Sequence, residues 1–196
     1  SNIKINAKYL IHLAVDANLK SINNHEYITN TILNGNLKIL KLIKNNKIPN
    51  ILMVSSGAVY GESKIDNKGY SENQSNIDLF YGFNNFYGFA KKIAENFYLN
   101  RLNEKQYNLK ILRIFTLVGA HLPIDSHYAV ANFTKLAMNN KSIIINEGQA
   151  NIRSFLYSAD LIVWMLKILL MKKNKSKIFN VGSNYRISIY DLAKKI

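Results

Sequence analysis

No cysteine occurs in this sequence, which excludes a disulfide framework and thiolate chemistry and fits a reducing cytoplasm. Arginine is scarce, present only as Arg101, Arg113, Arg153 and Arg186. The formal net charge of +14 therefore rests on lysines spread along the whole chain, with a modest cluster at Lys172, Lys173, Lys175 and Lys177. Arginine is the preferred residue for bidentate contacts to phosphates and bases, so this pattern argues against nucleic acid as the main partner. Its surplus of positive charge would still steer an anionic small substrate. Long apolar runs are absent too. The longest, Leu161 to Met171, is interrupted by Lys167 and falls far short of the ~20 residues of a membrane span. The first ten residues, SNIKINAKYL, lack the basic and apolar regions of a signal peptide. No internal repeat or low-complexity linker stands out. What remains is a chain of 196 residues, 48% hydrophobic, enough for one sizeable core.

The stretch that organises the chain is Ile51 to Gly61, ILMVSSGAVYG. Four apolar residues run into Ser55 and Ser56 and then into turn-formers, the pattern of a buried central strand in a parallel sheet. In such sheets ligands sit beyond the carboxyl ends of the strands, so hydroxyls there face a site. The plainer reading is that two serines simply end a strand.

Around it the chain alternates. Tyr9 to Ala14 reads as a first buried strand, with His12 as a satisfied core histidine. Ile28, Ile32, Leu33, Leu37, Leu40 and Ile43 fall at helical spacing between His25 and Asn46, and Ile48-Pro49-Asn50 ends that helix. Residues 62–85 form a long polar connection of the kind that often carries function. A helix is expected from Tyr87 to Asn103, with Phe89, Ile93, Phe97 and the stem of Arg101 on its apolar face. Leu109 to Phe115 follows as a strand. After a loop through Pro123 and Asp125 come a helix near Tyr128 to Met138, a short strand at Ser142 to Ile145 and a turn at Glu147-Gly148-Gln149. Asn151 to Tyr157 is extended, Ser158 would cap a helix to Met171, Ile178 to Gly182 is a last strand, and Ser188 caps a terminal helix. This βαβ rhythm predicts an α/β fold.

Tyr-x-x-x-Lys occurs three times, as Tyr60 with Lys64, Tyr87 with Lys91 and Tyr190 with Lys194. Only Tyr87 and Lys91 have context, at the start of the helix that follows the serine-tipped strand. At i and i+4 they share one face. A phenol near pKa ~10 is a poor base at neutral pH, and a neighbouring ammonium is expected to lower that value. Ser56 could then hold the substrate oxygen while a proton moves to or from Tyr87, a geometry suited to reversible oxidation of an alcohol beside a nicotinamide.

These segments resemble the extended short-chain dehydrogenase/reductase family, in its NAD-dependent nucleotide-sugar epimerase/dehydratase branch. YLIHLA at Tyr9 to Ala14 looks like the family's fourth strand. SSGAVYG looks like its serine motif with Ser56 as the catalytic hydroxyl, and Tyr87 and Lys91 match its catalytic pair. Arg113 to His121 is similar to the run after the sixth strand in the family's epimerases, with Thr116 where they have asparagine. The resemblance implies a Rossmann-type doubly wound parallel sheet in residues 1–116 and a small substrate lobe in 117–196. It implies NAD, with NADP as the alternative, against Leu13, Ala14, Val54, Ser55, Tyr87, Lys91 and Phe115. A nucleotide-diphosphate sugar would lie against Ser56, Gly57, Ala58, Thr116, Asn132 and Arg153. Arg153, in RSFLYSADL, matches the arginine that grips the diphosphate; its plainer reading is a surface salt-bridge partner. No metal is expected. A homodimer is implied, through a four-helix bundle of the helices from His25 and Tyr87.

The pattern departs from the family in two places. The Gly-rich loop that cradles a pyrophosphate at a helix N-terminus does not appear ahead of Tyr9; the chain is expected to be a fragment of a longer enzyme, the alternative being a whole protein with crippled NAD binding. The family's 4,6-dehydratases place Asp and Glu directly after the catalytic hydroxyl, where this chain has Gly57 and Ala58. Neither can carry a proton. An epimerase is therefore expected, with a 4-keto-sugar reductase and, behind it, a 4,6-dehydratase as alternatives, and a catalytically silent RNA- or protein-binding relative as the rival from another class.

Overall fold

The computed structural model describes residues 3–13, 24–61, 69–74, 85–120, 122, 124, 128–145, 152–172 and 177–196. At its centre lies β2 (Asn50–Ser56), where Ile51, Leu52 and Met53 are fully buried. Each such side chain contributes roughly 1.5–3 kcal/mol on leaving water. β1 (Tyr9–His12) pairs in parallel with one side of β2. On its other side β2 pairs in parallel with β3 (Asn108–Ile114), which in turn pairs with β6 (Ile178–Val181). All four strands thus run the same way, and their carboxyl ends, at His12, Ser56, Ile114 and Val181, lie along one edge of the sheet.

One face of this sheet carries α1 (His25–Ile28), a π-helical segment at Thr29–Asn34 and α2 (Gly35–Asn46), which together form one continuous helical stretch. Beside it packs α3 (Phe86–Arg101). Ile28, Ile32, Leu40 and Ile43 meet Ala90, Ala94 and Tyr98 over Ile51, Met53 and Ile111. The opposite face takes α5 (Ser158–Leu170), whose Leu161, Met165 and Leu169 cover Leu52, Leu112 and Val181. Layered cover on both faces is what a parallel sheet requires. A second, smaller sheet has the order β4 (Thr116–Val118), β5 (Ile152–Tyr157), β7 (Arg186–Ser188). Its β4–β5 pairing is parallel and its β5–β7 pairing antiparallel. Helix α4 (Ala129–Met138) and the terminal α6 (Ile189–Lys195) complete the described elements.

Several expectations are corrected. The first strand stops at His12 and is an edge of the described sheet, because it has a partner on one side only; Tyr9 and Ile11 remain 39% and 38% exposed. The buried face of α3 is formed by Gly88, Ala90, Lys91, Ala94, Glu95 and Tyr98, while Phe89, Ile93 and Phe97 lie at its half-buried flank. Two charges occupy the inward face because each finds a polar partner there. Residues 142–145 form no strand, and no ladder partner lies among the described residues. Ser158 is the first helical residue and not the cap: Tyr157 holds the cap position, without a side-chain bond. β7 is an extra strand after Val181. Ser188 does cap α6, accepting from the Asp191 N–H at 3.0 Å. The turn at 147–149, Ala14, Lys64, His121, Pro123, Asp125 and most of the 62–85 connection lie outside the described residues.

Candidate active site

Beyond Val54 the chain leaves the sheet through Ser56, whose hydroxyl oxygen accepts from the Ala58 N–H at 3.1 Å and starts a 3₁₀ turn over Gly57–Tyr60. This turn is clamped to the start of α3 by one residue, Asn85. Its side-chain oxygen caps the helix by accepting from the Gly88 N–H at 3.0 Å, and its amide donates to the Ala58 carbonyl at 2.8 Å. Gly88 itself allows the close approach, since a Cβ there would lie 2.2 Å from that carbonyl oxygen. Tyr87 is thereby brought over the end of β2, on the side where Ser56 leaves the strand.

One turn further along, Lys91 is 3% exposed. Its ammonium donates to the Val54 carbonyl at 3.2 Å and lies 5.9 Å from the centre of the Tyr87 ring. Burial pulls the ammonium down to about 8, opposed by the charge of Glu95. Burial also pushes the Tyr87 phenol up to about 12, with the Ser56 side chain acting the other way. That corrects the expectation of a lowered phenol. Desolvation of the phenolate dominates, and the Lys91 ammonium is turned to the Val54 carbonyl. His12, at the end of β1, is held below the usual histidine range by burial and by Lys91; its Nδ1 lies 3.0 Å from the Tyr98 hydroxyl.

Ser55 takes no part in this edge through its side chain. Its hydroxyl donates to Glu95 Oε1 at 2.6 Å, on the α3 face of the sheet. Val54 contributes its carbonyl, and its side chain packs into the core under α5. Gly57 lies against the Phe115 ring, 2.8 Å from where its Cβ would stand. Phe115 in turn stacks with Tyr60 and Tyr70 at 6.2 Å from each. Thr116 is half-buried at the start of β4, and Leu13 is exposed beyond β1. Asn132 is exposed on α4, and Arg153 is exposed on β5 with its guanidinium on its neighbour's carbonyl, Ile152, at 3.2 Å. Ser56, Tyr87, Lys91, Gly57 and Ala58 thus come together at one strand end, whereas Asn132 and Arg153 stand on the second sheet and its helix.

Sequence reasoning missed three contributors. Asn85 was legible as a helix cap before Phe86. Glu95 and Arg113 were not, because charged residues read as solvated until their partners are known. Arg113 donates to both carboxylate oxygens of Glu95, at 2.9 and 2.7 Å, and to the Tyr60 hydroxyl at 2.6 Å.

Ser56, the half-buried Tyr87 and the buried Lys91 thus stand at the carboxyl edge of a parallel α/β sheet. Known proteins supply the family. The model of the NAD dependent epimerase/dehydratase family matches residues 3–182, and the chain belongs to that family. It is 30% identical over 195 residues to the dTDP-D-glucose 4,6-dehydratase of Dictyostelium discoideum, covering 95% of this chain and 44% of that protein. It is 27% identical over 170 residues to UDP-glucuronic acid decarboxylase 3 of Arabidopsis thaliana, covering 86% and 47%. Among solved structures, the UDP-glucose 4-epimerase of Thermotoga maritima with UDP-glucose superposes with a TM-score of 0.80 at 21% identity, over 95% of this chain and 59% of that one. This likeness establishes the Rossmann-type fold. The chain spans about half the length of the curated relatives it matches.

The family's NAD fits the residues present. Lys91 uses one of three N–H bonds on Val54, which leaves donors beside Tyr87 for the hydroxyls of a ribose. Among the described residues no cluster of potential ligands could hold a metal ion, and no helix is long and apolar enough to cross a membrane.

Proposed function

We propose that the protein of which this chain is part is a nucleotide-sugar epimerase that works by transient oxidation of a sugar hydroxyl. The observation that carries this reading is the buried Lys91, whose ammonium donates to the Val54 carbonyl at 3.2 Å and lies 5.9 Å from the centre of the Tyr87 ring, at the end of the strand that carries Ser56. Bound NAD would supply reversible hydride acceptance at the carbinol carbon. Ser56 would hold the reacting oxygen. Tyr87 would take the hydroxyl proton and return it after the keto sugar has turned over. Lys91, charged below about 8, would favour the phenolate at that moment. With the phenol pushed up to about 12 in the unliganded site, proton transfer would draw on charge brought near it by the cofactor. Lys91 would also grip the nicotinamide ribose, with Val54 beside it. Arg153 and Asn132, on the smaller sheet and α4, are the residues proposed for the nucleotide diphosphate. Residues 1–116 and 117–196 would then act as cofactor and substrate portions.

Oxidation of this kind also opens dehydration and decarboxylation, because a ketone acidifies the neighbouring C–H and labilises a β-carboxylate. Dehydration needs further proton carriers, and Gly57 and Ala58 after Ser56 offer none. That favours epimerisation over the dehydratase activity of one relative. The test is interconversion of UDP-glucose and UDP-galactose, and of dTDP-glucose and dTDP-galactose, by the full-length protein, with Tyr87→Phe beside it. Epimer formation without net NADH, lost by about 10²-fold or more in the variant at unchanged folding, is expected. Stoichiometric NAD(P)H consumption on a 4-keto sugar would replace the reading with a reductase, and turnover indifferent to Tyr87→Phe would overturn it.

A further inference from the structure

Glu95 has no role in the chemistry above, yet it is 0% exposed. Both its oxygens are occupied by Arg113, and Oε1 also accepts from Ser55 at 2.6 Å. Lys92 Nζ lies 3.7 Å from Oε2. This carboxylate is therefore fixed in place and cannot swing. Lys91 stands four residues earlier on the same buried face of α3, so the two charges are neighbours one helical turn apart.

Lys91 needs such a neighbour. Of the titratable groups facing it, His12 on β1 is held neutral near pH 7 by its lowered value, and Tyr87 on its own helix is neutral as well. β2 offers only the Val54 carbonyl. Glu95 is the anion acting on Lys91 among the described residues, and it also faces the cations Lys92 and Arg113. An unpaired ammonium in such surroundings would shed its proton.

We propose that Glu95 is a positioning residue of this site: its carboxylate, locked by Arg113 and Ser55 one helical turn from Lys91, is the counter-charge that keeps the buried ammonium protonated beside Tyr87. This rests on the reading of Tyr87 and Lys91 as the acid–base pair.

The experiment uses the full-length protein with Glu95→Gln, with Glu95→Asp as a charge-keeping control. A Glu95→Gln/Arg113→Gln double variant removes both charges together, an exchange that buried pairs tolerate better than loss of one partner. The side-chain Cε of Lys91, assigned through Lys91→Arg, is titrated by ¹³C NMR, and the pH profile of turnover is measured alongside. The Lys91 midpoint is expected to fall by about one pH unit in Glu95→Gln, to fall by less in the double variant, where the Arg113 cation leaves with the carboxylate, and to stay in place in Glu95→Asp. The alkaline limb of turnover should move with it. A Lys91 midpoint unchanged in a folded Gln variant would overturn the proposal and leave Glu95 a purely structural group. The NMR titration needs no turnover. An inactive wild type with a shifting Lys91 would therefore sink only the epimerase reading, and an active wild type with an unmoved Lys91 only this one.

Discussion

Ser55 and Ser56, adjacent in sequence, serve opposite ends of the same machinery. Ser55 donates inward to the buried Glu95 carboxylate at 2.6 Å, while the Ser56 oxygen accepts from the Ala58 N–H at 3.1 Å on the side toward Tyr87. The twofold alternation of a strand separates them: one hydroxyl secures the structure and the other stands at the strand end where the proposed chemistry lies.

Their alanine variants should therefore separate stability from chemistry. Ser55→Ala leaves a buried carboxylate short of one hydrogen bond and is expected to cost about 1–3 kcal/mol. Ser56→Ala, at a half-buried turn, should cost less stability and far more turnover. Urea denaturation of both variants, beside their turnover on a UDP-sugar, checks this. Equal stability losses would refute the division.

Lys91 gives a pH signature. Its folded value of about 8 lies below the ordinary 10.5. Between those values the unfolded chain holds a proton that the folded one has released, so stability rises with pH across that window. The contribution is roughly 3 kcal/mol when integrated. Tyr87 acts with opposite sign at higher pH. Its neutral form persists in the folded state to about 12 against an ordinary 10.0, so the unfolded state is favoured as pH climbs from 10. Lys91→Met should reduce the rise between about pH 8 and 10.5 in denaturant midpoints, to which the lowered Lys92 and Lys110 also contribute. Tyr87→Phe should reduce the fall above about pH 10, to which the raised Tyr60 and Tyr98 add.

Gly88 is where α3 meets the serine turn. Gly88→Ala would drive a Cβ to 2.2 Å from the Ala58 carbonyl oxygen, a backbone atom that cannot step aside. A loss of about 1–3 kcal/mol is expected, with turnover falling further as Tyr87 is displaced. Gly35→Ala, whose nearest neighbour would be 3.9 Å away, is the control and should be harmless to both.

Much of this was legible in the sequence, for reasons that differ by residue. The apolar run before Ser55 read as a buried strand, and the helix from Tyr87 announced itself by its period, although Phe89, Ile93 and Phe97, which carried that period, lie at its half-buried flank. Tyr87, Lys91 and Ser56 were singled out because the proposed chemistry constrains their spacing, and the fold brings them to one strand end. The inward face of α3 was not, since Lys91 and Glu95 are charges that any hydrophobic pattern turns outward. Their burial depends on Val54, Ser55 and Arg113, residues on other strands. β7, three residues long, pairs with β5 across a long stretch of chain, beyond the reach of local pattern. The second sheet explains the extended segment at β5, whereas residues 142–145 had the same local look and found no strand to join among the described residues.

The π-helical segment at Thr29–Asn34 bears on what evolution could do to this site. Ile28, Ile32, Asn36 and Leu40 are all buried, at steps of four that would overshoot by about 40° each in an α-helix. Wider winding absorbs that excess and keeps all four in phase against α3. The segment is therefore a phase corrector, and its length is as constrained as any side chain. Removing one residue from it would rotate α2 relative to α1, swing the Asn36 face away from the core, and loosen the wall on which the helix bearing Tyr87 and Lys91 rests. Point substitutions on the outer side of Thr29–Asn34 should pass unnoticed where a single deletion would not.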